Sequence, residues 1–147
     1  MIVLLRSLFE NKSNIMTIEY VKNQLLQLYS QLSVCNEIPI NTFLFIAQTQ
    51  PIYVEVDEKY NIYGAITIII EQKMLHDGGY VCHIEDVVVD KKYRNRELGK
   101  KLVNFAINHA KDKGCYKIIL NCNEHVEPFY NKLGFQSKNK EMSIYFT

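Results

Sequence analysis

No stretch of the 147-residue chain holds enough consecutive apolar residues to cross a bilayer, so no helical membrane anchor is expected. Neither sign of charge is in excess. The 17 lysines and arginines face 16 aspartates and glutamates, and a net charge of +1 excludes a general affinity for nucleic acid or anionic membranes. Any cationic function must be local. The four cysteines, Cys35, Cys82, Cys115 and Cys122, form no Cys-x-x-Cys pair and follow no regular spacing. A chain this long buries an ordinary core without staples, so free thiols and a reducing, cytoplasmic compartment are expected. His76, His83, His109 and His125 lack metal-ligand spacing, and no Ser-His-Asp or Cys-His order suggests an acyl-enzyme. No metal is expected. Internal repeats, low-complexity tracts and Pro/Gly-rich linkers are missing too, which makes residues 1–147 one domain.

What remains is the composition of a folded protein, 48% apolar and 22% charged. The opening MIVLL has no basic leader and no small-residue cleavage site, so it reads as a first strand. Ile18, Val21, Leu25, Leu28 and Leu32 recur at helical spacing. A short helix is expected after Pro39, with Asn41 as its cap. IYVEVDE and YGAITIIIEQKML are β-branched runs joined by a KYN hairpin turn, and YVCHIEDVVVD follows an HDGG turn as another strand. LGKKLVNFAINHAKDKG is a helix with Leu98, Leu102, Phe105 and Ala106 on its buried side and Gly114 at its end. CYKIILNC is apolar almost throughout, as expected of a strand covered on both faces. EPFYNKL is a short helix closed by Gly134, and EMSIYF a final strand. The order is mixed α/β, a parallel crossover built onto an antiparallel front half.

Between the HIEDVVVD strand and the next helix lies KKYRNRELGKK, Lys91 to Lys101, with six basic residues in eleven. A strand–loop–helix junction leaves the first-turn N–H groups of the helix unpaired and pointing along its axis. Together with the positive end of the helix dipole they suit an anion, and pyrophosphate in particular. By spacing alone, a solvated helix face explains the run equally well. Glu85 and Asp86, adjacent on a strand, point to opposite faces unless a bulge intervenes. Taken alone, they read more readily as strand-end carboxylates paired with lysine.

HIEDVVVDKKYRNRELGKKL and GCYKIILNCNEHVEPFYNKLGF together resemble the GNAT superfamily of acetyl-CoA-dependent N-acetyltransferases, and within it the glucosamine 6-phosphate N-acetyltransferase branch. The similarity runs from about Tyr63 to Tyr145, with weaker agreement at QLS, Gln31 to Ser33. It implies a GNAT fold, mixed α/β, with a sheet of about six to seven strands, helices on both faces and a splay between two parallel strands. It also implies acetyl-CoA as co-substrate, a homodimer with shared active sites, and a reaction on the way to UDP-N-acetylglucosamine.

Carried over by position, Val87, Val88 and Val89 would pair with the pantetheine arm through their backbone and polarise the thioester carbonyl. Arg94, Asn95, Arg96, Glu97, Leu98, Gly99 and Lys100 would hold the pyrophosphate, with Glu97 standing where the family has its first glycine. That carboxylate is compatible with the ligand only if it points outward. Glu85 would take a proton from the substrate ammonium, since an amine with a pKa of roughly 8 is mostly protonated near neutrality. Tyr130 would donate to the departing sulfur. Ser33, Lys73, Ile84, Asp86, Tyr116, Lys117 and Asn121 would meet the sugar phosphate, Lys117 across a dimer interface and Asn121 near the reacting amine as a third catalytic residue. Asn121 stands where the branch carries Asp, His125-Val126 replaces Lys-Asn, and Tyr145 replaces a common Arg. These departures lie on the acceptor side, so a GNAT enzyme for another amine stays open, as does a CoA-binding scaffold without catalysis. A nucleic-acid module ranks last, because no platform of stacking aromatics accompanies the basic run.

Overall fold

The computed structural model of the chain describes residues 1–10, 15–94 and 97–147. One sheet carries β1 (Ile2–Leu4), β2 (Ile52–Val56), β3 (Ile62–Gln72), β4 (Tyr80–Val89) and β5 (Cys115–Ile119), hydrogen-bonded in chain order. Pairing is antiparallel up to β4 and parallel between β4 and β5. The helices are α1 (Ile15–Tyr29), α2 (Ile40–Thr49), α3 (Leu98–Asp112) and α4 (Glu127–Asn131).

Side-chain alternation along the strands splits the core into two layers. On one face, Val54, Val56, Ala65 and Val88 pack with Val21, Leu25 and Leu28 of α1 and with Phe43 and Ala47 of α2. On the other, Ile66, Ile68, Cys82 and Ile84 pack with Leu102, Val103, Ala106 and Ala110 of α3. Each large aliphatic side chain fully removed from water in this way contributes about 1.5–3 kcal/mol. Gly64 sets how closely α3 lies on the sheet: a Cβ there would come within 3.0 Å of both Leu102 Cδ1 and the Val88 carbonyl oxygen. After α3, Gly114 takes φ +69 and turns the chain into β5, as a glycine beyond a helix end does.

Several expectations need correction. The sheet has five strands among the described residues, fewer than the family resemblance implied. EMSIYF forms no strand, and Met142, Ile144, Tyr145 and Phe146 are almost wholly exposed. An alternating pattern specifies extended backbone but not the edge with which it pairs. β5 is not covered on both faces, because Tyr116 and Ile119 stay well exposed. Helix α1 stops at Tyr29, whose carbonyl accepts from Leu32 N and Ser33 N, so Leu32 leaves the apolar stripe and is exposed. Pro39 precedes α2 without a side-chain cap, and Asn41 lies inside the helix. All four cysteines are free thiols, with only Cys82 fully buried.

Candidate active site

The parallel strands part at a definite point. β4 pairs with β5 from Tyr80↔Cys115 to His83↔Ile119 and no further. From Ile84 to Val89, β4 keeps β3 on one side and, among the described residues, has no strand on the other. The backbone groups there that face away from β3 can meet an extended ligand that adds as a strand; the Val89 carbonyl is already taken by Arg94 Nε. Val88 turns its side chain into the α1 layer, and Val87 and Val89 turn theirs toward α3. Contact along this edge therefore falls to the main chain.

A bulge opens the same stretch. Ala65 pairs with Val88 and Thr67 with Glu85, so two steps on β3 oppose three on β4. The extra residue is Asp86, in the left-handed region at φ 49, which Asp tolerates better than most residues. Both Glu85 and Asp86 are exposed. Neither makes a hydrogen bond or ion pair among the described residues. Among the described residues, the lysine pairing that suits a strand-end carboxylate does not form. Ile84 is 2% exposed and packed under α3, so only its backbone is left to meet a ligand.

Beyond β4 the chain makes a short 3-10 turn, Lys91–Tyr93, capped by Asp90, whose carboxylate accepts from Lys92 N at 2.9 Å. The Gln31 side chain also reaches this turn and accepts from Lys91 N at 2.9 Å. Arg94 folds back so that its Nε donates to the Val89 carbonyl, 3.4 Å away. Asn95 and Arg96 lie outside the described residues. Glu97 precedes α3 with φ 58 and ψ 14, a left-handed conformation suited to glycine. Its side chain is 79% exposed and lies 3.8 Å from Lys100 Nζ. It points outward into solvent, and the N–H groups of Leu98, Gly99 and Lys100 in the first turn of α3 have no partner within the helix. Lys101 belongs elsewhere, because its ammonium lies 2.6 Å from Glu55 on β2. A Cβ on Gly99 would sit 3.4 Å from the Phe129 ring and 3.9 Å from Val89, so α3, β4 and α4 converge on this point.

Tyr130 stands on α4, half-buried between Phe129 and Phe135, with ring centroids 5.0 and 5.8 Å away. Burial raises its hydroxyl above the ordinary tyrosine range, and nearby Cys122 adds to the shift. Tyr130 and Asn121 line one cleft of about 320 Å³, walled by β5, α4 and the segment after Phe135. Glu85 is not part of that cleft. Of the remaining expected residues, Ser33 is exposed just beyond α1. Lys73 is held by Glu71 at 2.6 Å, and Glu71 also contacts His83 Nε2 at 2.9 Å. Tyr116 stacks on His76, and Lys117 is exposed with its ammonium 5.8 Å from the Tyr116 ring centre.

Gln31 and Phe129 joined the site without being singled out beforehand as site residues. The spacing Leu25 to Tyr29 puts a polar-tipped residue on the apolar side of α1, and that signal could have marked Tyr29 as well.

A sheet whose parallel strands separate beside a helix N-terminus is the architecture of acetyltransferases. A solved Trypanosoma brucei acetyltransferase superposes with a TM-score of 0.81 at 32% identity, covering 87% of this chain and 94% of that one. The solved glucosamine-6-phosphate N-acetyltransferase of Arabidopsis thaliana superposes with a TM-score of 0.79 at 36% identity, covering 88% and 94%. The chain belongs to the acetyltransferase (GNAT) family, whose profile matches residues 20–135. In sequence it is 43% identical over 93 residues to the Arabidopsis glucosamine 6-phosphate N-acetyltransferase, a stretch spanning 63% of this chain and 62% of that protein. To glucosamine 6-phosphate N-acetyltransferase 1 of Dictyostelium discoideum it is 33% identical over 128 residues, or 86% and 74% of the two chains. Enzymes of this family use acetyl-CoA as co-substrate.

Proposed function

We propose that the chain transfers acetyl from acetyl-CoA to the 2-amino group of D-glucosamine 6-phosphate, giving N-acetylglucosamine 6-phosphate for cytoplasmic UDP-N-acetylglucosamine synthesis. One observation carries the reading: two exposed carboxylates, Glu85 and the bulge residue Asp86, have no partner among the described residues and stand where β4 has left β5. The names of the relatives supply the acceptor.

Acetyl-CoA brings an activated thioester and a thiol leaving group. The protein contributes the rest. Backbone groups of Val87, Val88 and Val89 take the extended arm, and the amides of Leu98, Gly99 and Lys100 take the pyrophosphate with Arg94 beside them. Glu85 removes the proton from the ammonium through water, and the freed nitrogen bonds to the acetyl carbon as the carbon–sulfur bond breaks. Tyr130 hydrogen-bonds the sulfur. Asn121 accepts from the amine, and Asp86 and the Ile84 backbone meet the sugar. Ser33, Lys73, Tyr116 and Lys117 surround the phosphate, which must draw Lys73 from Glu71. The active unit is a homodimer in this reading. The free outer edge of β5 and the exposed Met142, Ile144, Tyr145 and Phe146 suit a second copy.

Thiol release from acetyl-CoA should follow addition of glucosamine 6-phosphate but not glucosamine, from a species of twice the 17.2 kDa chain mass by light scattering. A second reading, another amine acceptor, is favoured by Asn121 and by the exposed His125, Val126 and Tyr145. Release with other amines alone would select it. Thermal stabilisation by CoA with no turnover on any amine would leave a binding scaffold instead.

Glu97 yields a separate expectation. Its left-handed backbone costs roughly 1–2 kcal/mol relative to a relaxed conformation, and its charge opposes an anion at the helix start. Glu97→Gly should raise Tm slightly and tighten CoA binding roughly two- to fivefold, the effect of ~0.3–1 kcal/mol at a helix N-terminus. Glu97→Ala should reproduce the tighter binding but not the gain in Tm. Weaker CoA binding by calorimetry in both variants would refute an outward-pointing Glu97.

A further inference from the structure

Tyr29, the last residue of α1, carries a hydroxyl that the proposed reaction leaves unused. That oxygen is inaccessible to solvent and has no hydrogen-bond partner among the described residues. Leaving such a group unpaired costs about 1–3 kcal/mol, so a function that supplies a partner in another state is the economical explanation. Its surroundings indicate which partner. Thr67 of β3 lies nearby without completing a hydrogen bond, and the Asp86 charge is close enough to act on it. Thr67 is paired in register with Glu85, so the hydroxyl sits over the bulge that carries both carboxylates. Burial, reinforced by Asp86, keeps the phenol protonated well beyond the ordinary tyrosine range. It is therefore a donor at any working pH. Asp86 itself is an acceptor with no hydrogen bond or ion pair among the described residues. Tyr29 packs against the layer that holds Ala65 and Val88, the register pair beside the bulge, so a donor and an acceptor without partners among the described residues belong to the same end of the sheet. The Tyr29 backbone is anchored, since its carbonyl takes both Leu32 N and Ser33 N, at 2.9 and 3.1 Å.

We propose that Tyr29 is a positioning residue that acts through Asp86: when the acceptor binds and strips water from the bulge, the Tyr29 hydroxyl donates to the Asp86 carboxylate and fixes it toward the acceptor. The inference rests on the reading of Asp86 as an acceptor-side group. The hydroxyl makes no hydrogen bond to the described residues, so its removal should leave stability unchanged or improved. In the complex it holds a charged acceptor, and its removal weakens acceptor recognition.

The test is a double-mutant cycle of Tyr29→Phe and Asp86→Asn, read as acceptor KM, acetyl-CoA KM and Tm. Tyr29→Phe should raise acceptor KM about tenfold, the usual weight of one hydrogen bond to a charged group, with acetyl-CoA KM and Tm preserved. In the Asp86→Asn background the same change should have almost no effect, because the partner charge is gone. Unchanged acceptor KM in Tyr29→Phe, beside a clear defect in Asp86→Asn, overturns the role of Tyr29 and leaves the site reading intact. A fall in Tm with equal losses in both backgrounds overturns it too, since it marks a structural hydroxyl. No defect in Asp86→Asn removes the site reading, and the role of Tyr29 with it.

Discussion

Glu85→Gln is expected to lower kcat for acetyl transfer at least ~100-fold near neutral pH while leaving the Kd for CoA unchanged. The magnitude is the lower end of what a positioned general base contributes. The amide keeps the shape of the carboxylate and part of its hydrogen bonding but cannot accept the ammonium proton. CoA binding should be spared because the proposed pyrophosphate loop begins only after Val89, beyond the bulge, and Glu85 makes no hydrogen bond or ion pair among the described residues. The side chain is exposed and has no partner among the described residues, so Tm should hold. pH adds a second signature. An amine with a pKa of roughly 8 sheds its own proton as the solution turns alkaline, so the need for a base fades. The deficit of the variant should shrink steadily between neutrality and about pH 9. Wild-type rates at neutral pH would remove Glu85 from the chemistry, and a deficit independent of pH would make it a binding group.

That carboxylate was visible in the sequence, yet its freedom was not. Strand β4, the crossover helix α3 and the turn at Gly114 follow from local signals, because period and capping are properties of neighbouring residues. The bulge at Asp86 could be anticipated from two adjacent carboxylates needing one side of a strand. Whether a lysine meets them depends on the far side of the sheet, and periodicity holds no record of that. Lys101 shows the same limit: it sits in the basic run by sequence but is committed to Glu55 by the crossing of α3 over β2. The apolar run of β5 is a third case. Composition reports that a surface is to be covered, without distinguishing the chain's own helices from another molecule. Tyr145 and Phe146 raise the same question from the opposite side, as apolar residues with no edge of their own.

The Tyr130 hydroxyl should be worth a further factor of ~100 in kcat, measured as Tyr130→Phe, with acceptor and acetyl-CoA KM nearly unchanged. Position comes first. The ring is wedged between Phe129 and Phe135, so removing one oxygen leaves the packing of α4 intact and Tm within a degree or so. The hydroxyl shares its cleft with Asn121, so the two groups can address one reacting centre from α4 and from the end of β5. Its protonation state follows from burial, which favours the neutral phenol and moves its titration above the ordinary value near 10. In the proposed reaction Tyr130 donates to the departing thiolate, and burial holds it as a donor throughout the range in which the amine becomes nucleophilic. The sign of the pH dependence follows: wild-type kcat should show no alkaline decline from this group below about pH 10. A thiolate whose thiol has a pKa of about 8.5 needs little more than a strong hydrogen bond to leave, so the phenol need not surrender its proton fully. The loss in the Phe variant should then appear in kcat and not in the strength of CoA binding, because the interaction exists only as the carbon–sulfur bond lengthens. A Phe variant with wild-type kcat would show that sulfur departs without help from α4. One that loses CoA affinity in proportion to kcat would make Tyr130 a binding residue.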